Sequence, residues 1–168
     1  MNDMAGRVRV SLTLNGHPRT LEVAPHELLL DTLRVSLGAT DVRYGCGEGV
    51  CGTCTVLIEG EPVSACLVLT VQAHERSIST VRGAQDDDGT LRALQRAFLE
   101  RGAAQCGFCT PGMLLTLLAA IREGAADRAA LREAIAGNLC RCTGYRAILD
   151  AAEAVVREVG SPSVGADR

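Results

Sequence analysis

The chain has 168 residues, a formal net charge of −3 and 47% apolar residues. That length fills one ordinary domain or two small ones and buries roughly two-thirds of its extended surface, while the charge argues against broad nucleic-acid binding, which rests on a basic patch. No apolar run reaches the about 20 residues needed to span a bilayer; the longest, Met113 to Ile121, is broken by Thr116 and reads as a buried helix.

Arg7 to Leu14 alternates polar and apolar residues, with Val8, Val10, Leu12 and Leu14 on one face, the pattern of a half-buried strand. Asn15-Gly16 is a strong hairpin signal, and Arg19 to Val23 is the expected return strand. Pro25 then opens a predicted helix through HELLLDTLRVSL that stops at Gly38. After a Gly-rich loop, Thr55 to Ile58 and Val63 to Leu69 read as strands joined by the turn Glu59-Gly60-Glu61-Pro62, and Ser77 to Val81 as a last short strand. Strands around one helix give an α+β unit with a small mixed sheet. Gly83 to Gly89 (GAQDDDG) reads as a polar linker whose acidic run is a solvated loop. Beyond it the pattern is helical over Thr90 to Arg101, Pro111 to Glu123, Asp127 to Ala136 and Gly144 to Val159, with Gly102, Gly124 and Gly137 at expected left-handed helix ends. Four helices with short loops make a small bundle. The expected division is therefore 7–82, a linker at 83–89, a bundle at 90–159 and a loose tail at 160–168.

The chemistry lies in eight cysteines. The start, MNDMAGRVRV, has no apolar signal core and no adjacent arginine pair, so the expected compartment is the cytoplasm, where cysteines serve metal rather than disulfides. Cys46, Cys51, Cys54 and Cys66 follow the C-x4-C-x2-C…C spacing of a plant-type [2Fe–2S] site. A cluster of this kind is a flat anionic diamond wrapped by one short loop and a neighbouring strand. Its loop must turn backbone N–H groups toward sulfur, and Gly45, Gly47, Gly49 and Gly52 supply that freedom. Zinc sites more usually pair two C-x2-4-C knuckles.

The second set is Cys106 and Cys109 in QCGFCTPG and Cys140 and Cys142 in GNLCRCTGY. Each pair precedes a predicted helix start, so two helix N-termini would face one anionic site. A tetrathiolate zinc could use the same dipoles, and the spacing leaves zinc and a cluster both open. The three histidines, His17, His26 and His74, stand apart near loops or element ends and read as solvated surface residues. No nucleophile–base pair or phosphate loop is present.

Taken in order, GCGEGVCGTCTV, QCGFCTPG and GNLCRCTGY resemble the small iron–sulfur subunit of the molybdenum hydroxylases, the group of xanthine dehydrogenase, aldehyde oxidoreductase and carbon monoxide dehydrogenase. The resemblance runs from Val8 to about Val159. It implies a plant-ferredoxin-like β-grasp domain followed by a four-helix bundle, with one [2Fe–2S] cluster in each. It further implies that the chain relays single electrons from a molybdopterin centre in a large subunit, through the bundle cluster and then the loop cluster, to a medium FAD-binding subunit or another acceptor. Under the resemblance Cys142 contacts the pterin and Gln105 lies close by; the chain itself has no catalytic residue. A free-standing two-cluster ferredoxin is the rival reading, though a carrier needs no second cluster. Two positions depart from the family pattern: Thr53 where Ala is frequent, and Arg43 where Lys is frequent. Neither is expected to touch a ligand, so each would at most tune potential or docking.

Overall fold

The computed structural model describes residues 6–84 and 86–160. The first alternating segment forms β1 (Val8–Leu14), with Val10, Leu12 and Leu14 buried and Val8 left exposed at the strand's start. Asn15 and Gly16 take φ of 53° and 78°, the left-handed pair of a type I′ turn. They return the chain along β2 (His17–Val23), antiparallel from Val8↔Val23 to Leu14↔His17.

The helix expected from Pro25 begins later and is shorter. Leu28 is extended (φ −74°, ψ 141°) and bridges Leu69, Thr70 N–H donates to Glu27 C=O, and only Leu29–Asp31 forms α1 before a wide turn over Thr32–Ser36. The first turn is lost to that pairing with the 68–70 segment. Glu27 reinforces the change, since its carboxylate accepts from Ala24 N–H at 3.3 Å and from the Thr32 hydroxyl at 2.6 Å. Leu29, Leu30 and Leu33 still reach full burial, about 1.5–3 kcal/mol each.

Next come β3 (Thr55–Ile58) and β4 (Glu61–Ser64), joined by the tight turn Glu59-Gly60, so that Glu61 and Pro62 belong to the strand and not to the turn. Pro62 is tolerated because β4 is an edge strand. The strand expected over Val63 to Leu69 breaks at Ala65–Leu67 into a 3₁₀ turn. Ala65 N–H donates to Cys54 C=O at 3.3 Å, and the turn brings the Cys66 sulfur to Gly49 N–H. A second 3₁₀ turn, Thr70–Ala73, leads to β5 (Ser77–Ser79). The sheet order is β2-β1-β5-β3-β4, with β1 and β5 parallel and the other pairs antiparallel, a mixed sheet that covers α1.

Helices α2 (Thr90–Glu100), α3 (Thr110–Arg122), α4 (Arg128–Ala134) and α5 (Arg146–Gly160) complete the chain. The acidic run before α2 is not simply a solvated loop. Asp86 accepts from Leu91 and Arg92 N–H at 2.7 and 3.1 Å, and Asp88 accepts from Thr90 N–H at 3.0 Å. These carboxylates satisfy orphan donors of the helix start, while Asp87 is exposed at the surface. Gly102 and Gly124 are left-handed as expected (φ 62° and 98°). Gly137 is not; it closes a 3₁₀ turn, Ile135–Gly137. One apolar core lies between the sheet and α1, and a second lies among α2–α5, where Leu94, Met113, Leu117, Leu131 and Ile148 are fully buried. Leu57 of β3 belongs to the second core, so the sheet and the bundle are packed together. Of the tail expected at 160–168, residues 161–168 lie outside the described residues.

Candidate metal centres

The first four cysteines converge around the loop between the wide turn and β3. Cys54 sits immediately before β3 and Cys66 just after β4, so the antiparallel pairing Thr55↔Ser64 brings these two together; both are 3% exposed. Cys46 and Cys51 come from the loop itself and are half-buried. Backbone N–H groups aim at the sulfurs: Gly49 at Cys66 Sγ (3.2 Å), Glu48 and Cys51 at Cys46 Sγ (both 3.4 Å), and Cys46 at Cys51 Sγ (3.4 Å). Gly49 takes a φ of 74°, a conformation that strains any side chain, and a methyl there would have to displace the exposed Leu67 side chain. Donation from Glu48 and Cys51 N–H draws the Cys46 thiol down to about 6, whereas burial pushes Cys54 up to about 11.

The second four come from two segments. Cys109 stands at the N-cap of α3, its carbonyl accepting Met113 N–H at 3.0 Å, and Cys106 is exposed just before it. Cys140 and Cys142 precede α5, and Cys142 Sγ lies 3.5 Å from Cys106 Sγ. Burial pushes Cys109 up to about 12. Burial also opposes ionisation of Cys140, but the hydroxyl and N–H of Thr143 outweigh it and bring that thiol below its ordinary value. Phe108 N–H lowers Cys106, and the Cys106 side chain raises Cys142.

All eight thiols are free, and they sort into four neighbouring pairs: Cys46 with Cys51, Cys54 with Cys66, Cys106 with Cys142, and Cys109 with Cys140. Among the described residues no group of three or more such ligands gathers where a single ion could sit. Two irons bridged by sulfide need two thiolates each, and N–H groups turned toward sulfur suit an anionic cluster. The donor set and its surroundings therefore fit [2Fe–2S].

The chain carries two matching family models, "2Fe-2S iron-sulfur cluster binding domain" over residues 12–89 and "[2Fe-2S] binding domain" over residues 80–153. It is 46% identical to the nicotinate dehydrogenase small FeS subunit of Eubacterium barkeri, over 83% of this chain and 88% of that one. A chain of quinoline 2-oxidoreductase from Pseudomonas putida 86 superposes with a TM-score of 0.84 at 46% identity, covering 92% of this chain and 97% of its own. The aldehyde oxidoreductase of Desulfovibrio gigas superposes with a TM-score of 0.83 at 34% identity, over 91% of this chain and 17% of that longer one. The chain belongs to the iron–sulfur small subunits of the molybdenum hydroxylases. As such a small subunit it is an electron-transfer component of an oxidoreductase, with two [2Fe–2S] binding domains, and it works beside a large molybdopterin-binding subunit. The ferredoxin-like domain followed by a helical domain is the expected fold. Among the described residues no helix is long and apolar enough to cross a membrane.

The small subunit's two cysteine sets meet at one junction. Leu139 N–H donates to Cys51 C=O at 2.9 Å, and Asn138, 5% exposed, donates from Nδ2 to Gly52 C=O at 3.1 Å. Gly52 (φ 64°) faces the Gly137 carbonyl, which a methyl would approach to 2.5 Å, and Gly112 of α3 packs on the Gly52 carbonyl with no room for a side chain. The Arg43 guanidinium lies 6.0 Å from the Phe108 ring centre, a second contact between the sets. Tyr145, left-handed at φ 66°, accepts Cys140 N–H at 2.9 Å and donates to Asn138 C=O at 3.2 Å, which fixes the approach to Cys140.

Sequence reasoning did not find Asn138, Tyr145 or Thr143, although all three lie in GNLCRCTGY beside the ligand positions. It was wrong about Thr53. That side chain does touch a ligand candidate, with Oγ1 2.7 Å from Cys51 Sγ. The signal was available, since Thr53 sits between two ligand positions in a loop too short to turn it away.

Proposed function

We propose that Cys46, Cys51, Cys54 and Cys66 hold one [2Fe–2S] cluster and Cys106, Cys109, Cys140 and Cys142 the other, each neighbouring pair of thiols taking one iron. The pairing of the sulfurs carries this reading. When bound, such a cluster supplies a site for one electron at a time. The chain's own residues hold the sulfurs, turn N–H and O–H donors toward them, and keep water from Cys54 and Cys66.

The bundle site is the end that meets the molybdopterin subunit. Gln105, Cys106 and Cys142 are all exposed, and Cys142 beside Cys106 offers an edge at which Cys142 contacts the pterin with Gln105 alongside. The loop site serves the acceptor. Tyr44 (55% exposed) and Val50 (60%) of that loop and Leu67 (63%) of the adjoining 3₁₀ turn are apolar and exposed, with the Tyr44 hydroxyl over Gly47 and Leu67 over Gly49. An exposed apolar patch of this kind suits a protein partner, here an FAD-binding subunit. The division near residues 83–89 and a cytoplasmic location complete the proposal.

Purification of the complex through this chain tests the assignment. Two irons and two sulfides for each of the two binding domains, molybdenum and flavin in the co-purifying subunits, and two distinguishable signals by electron paramagnetic resonance (EPR) are expected. Two irons with one zinc per chain would refute the second site. A chain that purifies alone with both clusters would favour a diffusible carrier.

A further inference from the structure

Thr53 lies between two of the proposed ligands and is 5% exposed. Its Oγ1 stands 2.7 Å from Cys51 Sγ. A thiolate bound to iron has no proton to give, so the hydroxyl must be the donor. The space is shaped for this contact: a methyl on Gly45 would lie 2.7 Å from Thr53 Oγ1 and 2.8 Å from Cys51 Sγ, so nothing larger than glycine leaves the pair undisturbed. Burial makes such a bond electrostatically stronger than it would be in water. Cys51 is also the ligand whose carbonyl accepts Leu139 N–H from the second site, at 2.9 Å.

We propose that Thr53 is a potential-setting residue of the small subunit, whose hydroxyl raises the reduction potential of the first cluster. An arriving electron adds one negative charge among the four thiolates. The Thr53 proton stays on Oγ1, with its positive end facing that charge, and no bond forms or breaks. The added charge strengthens the hydrogen bond, and that difference between the two oxidation states is what moves a potential. The second site has a counterpart: Thr143 Oγ1 lies 3.1 Å from Cys140 Sγ and accepts Tyr145 N–H at 3.2 Å, which leaves its proton for sulfur. Each site thus carries one hydroxyl donor to sulfur, and Thr53 is the donor of the first cluster.

This inference rests on the ligand assignment above, and the test keeps the two apart. Thr53→Val keeps the shape and removes the hydroxyl, Thr53→Ala removes both, and Thr53→Ser restores the donor. Each is made in the intact complex, assayed for iron and sulfide, and titrated potentiometrically with both EPR signals followed. In Thr53→Val and Thr53→Ala the reduced-to-oxidised ratio of the first cluster at a fixed potential should fall about tenfold, equivalent to about 59 mV for one electron. Thr53→Ser should stay near the wild type, and the second cluster should not move in any variant. Unshifted first-cluster midpoints in the Val and Ala variants with full iron would overturn the proposal, as would an equal shift in Thr53→Ser. A wild-type complex lacking the first cluster's iron would instead overturn the ligand assignment, whatever the variants do.

Discussion

The two proposed cluster sites are built by different means. The first is a single short loop closed against a strand pair: Cys54 and Cys66 are almost wholly buried, and backbone N–H groups from residues 46–51 supply most of the donors to sulfur. The second joins two segments 30 or more positions apart in sequence, each just ahead of a helix, and leaves Cys106 and Cys142 exposed. Its structure depends on side chains, with Tyr145 and Thr143 bonded to the Cys140 segment. A local loop can be buried because its backbone satisfies itself. A site assembled from distant segments needs side-chain braces, and its open edge gives a partner subunit access.

The comparison breaks most visibly at the ligands. Cys54→Ala should abolish the first cluster's EPR signal, leave the second in place and lower the melting temperature, because a buried position between β3 and the loop loses its anchor. Cys106→Ala removes an exposed thiol and should abolish only the second signal, with a smaller loss of stability. Simultaneous loss of both signals in either variant would mean that the sites assemble as one unit. Cys142→Ser should likewise spare the first cluster while slowing electron delivery from molybdenum, read by rapid-freeze EPR.

A smaller effect is expected where the sites touch. Gly52→Ala meets a positive φ and the Gly137 carbonyl together, and should cost about 3 kcal/mol in denaturant unfolding of the complexed chain. Asn138→Ala leaves the junction's geometry free but removes the buried amide donor to Gly52 C=O, a cost of about 1–3 kcal/mol. Both clusters should remain assembled in Asn138→Ala, and the magnetic interaction between the reduced clusters should weaken. An unchanged interaction would mean that the Leu139–Cys51 bond alone holds the sites in register.

The same contrast explains what the sequence made legible. The first site is local, so spacing and glycines specify it within 21 positions, Cys46 to Cys66. The second is written in two distant fragments, and spacing alone left zinc open; the resemblance to a family was needed to choose. The hairpin at Asn15-Gly16 and the four later helices were readable because turn chemistry and a 3.6-residue period are local signals. The helix expected from Pro25 was misjudged because its first turn pairs with residues 68–70, and the strand beyond Val63 because Cys66 must be turned inward. Propensity carries neither demand. The acidic run was misread for a related reason: Asp86 and Asp88 lie outside α2, and their value appears only once its free N–H groups are in place.

The smallest prediction concerns Asp88, which ties the connecting segment to the bundle and leaves the sheet untouched. Arg122 holds it in a two-pronged ion pair, Nε to Oδ2 at 3.0 Å and Nη2 to Oδ1 at 3.1 Å, and draws its carboxyl down to about 2, with Thr90 N–H assisting. A carboxylate depressed in the folded chain stabilises it fully above its ordinary value near 3.8, and that contribution fades as the pH falls toward about 2. Asp88 is half-exposed, so solvent screening limits the contribution to about 0.5–1 kcal/mol. Asp88→Asn should therefore unfold at lower denaturant than the wild type at pH 7, with the gap narrowing at pH 3. A gap that persists unchanged in acid would show that loss of the Asp88 charge is not its cause, since asparagine keeps the acceptor for Thr90 N–H.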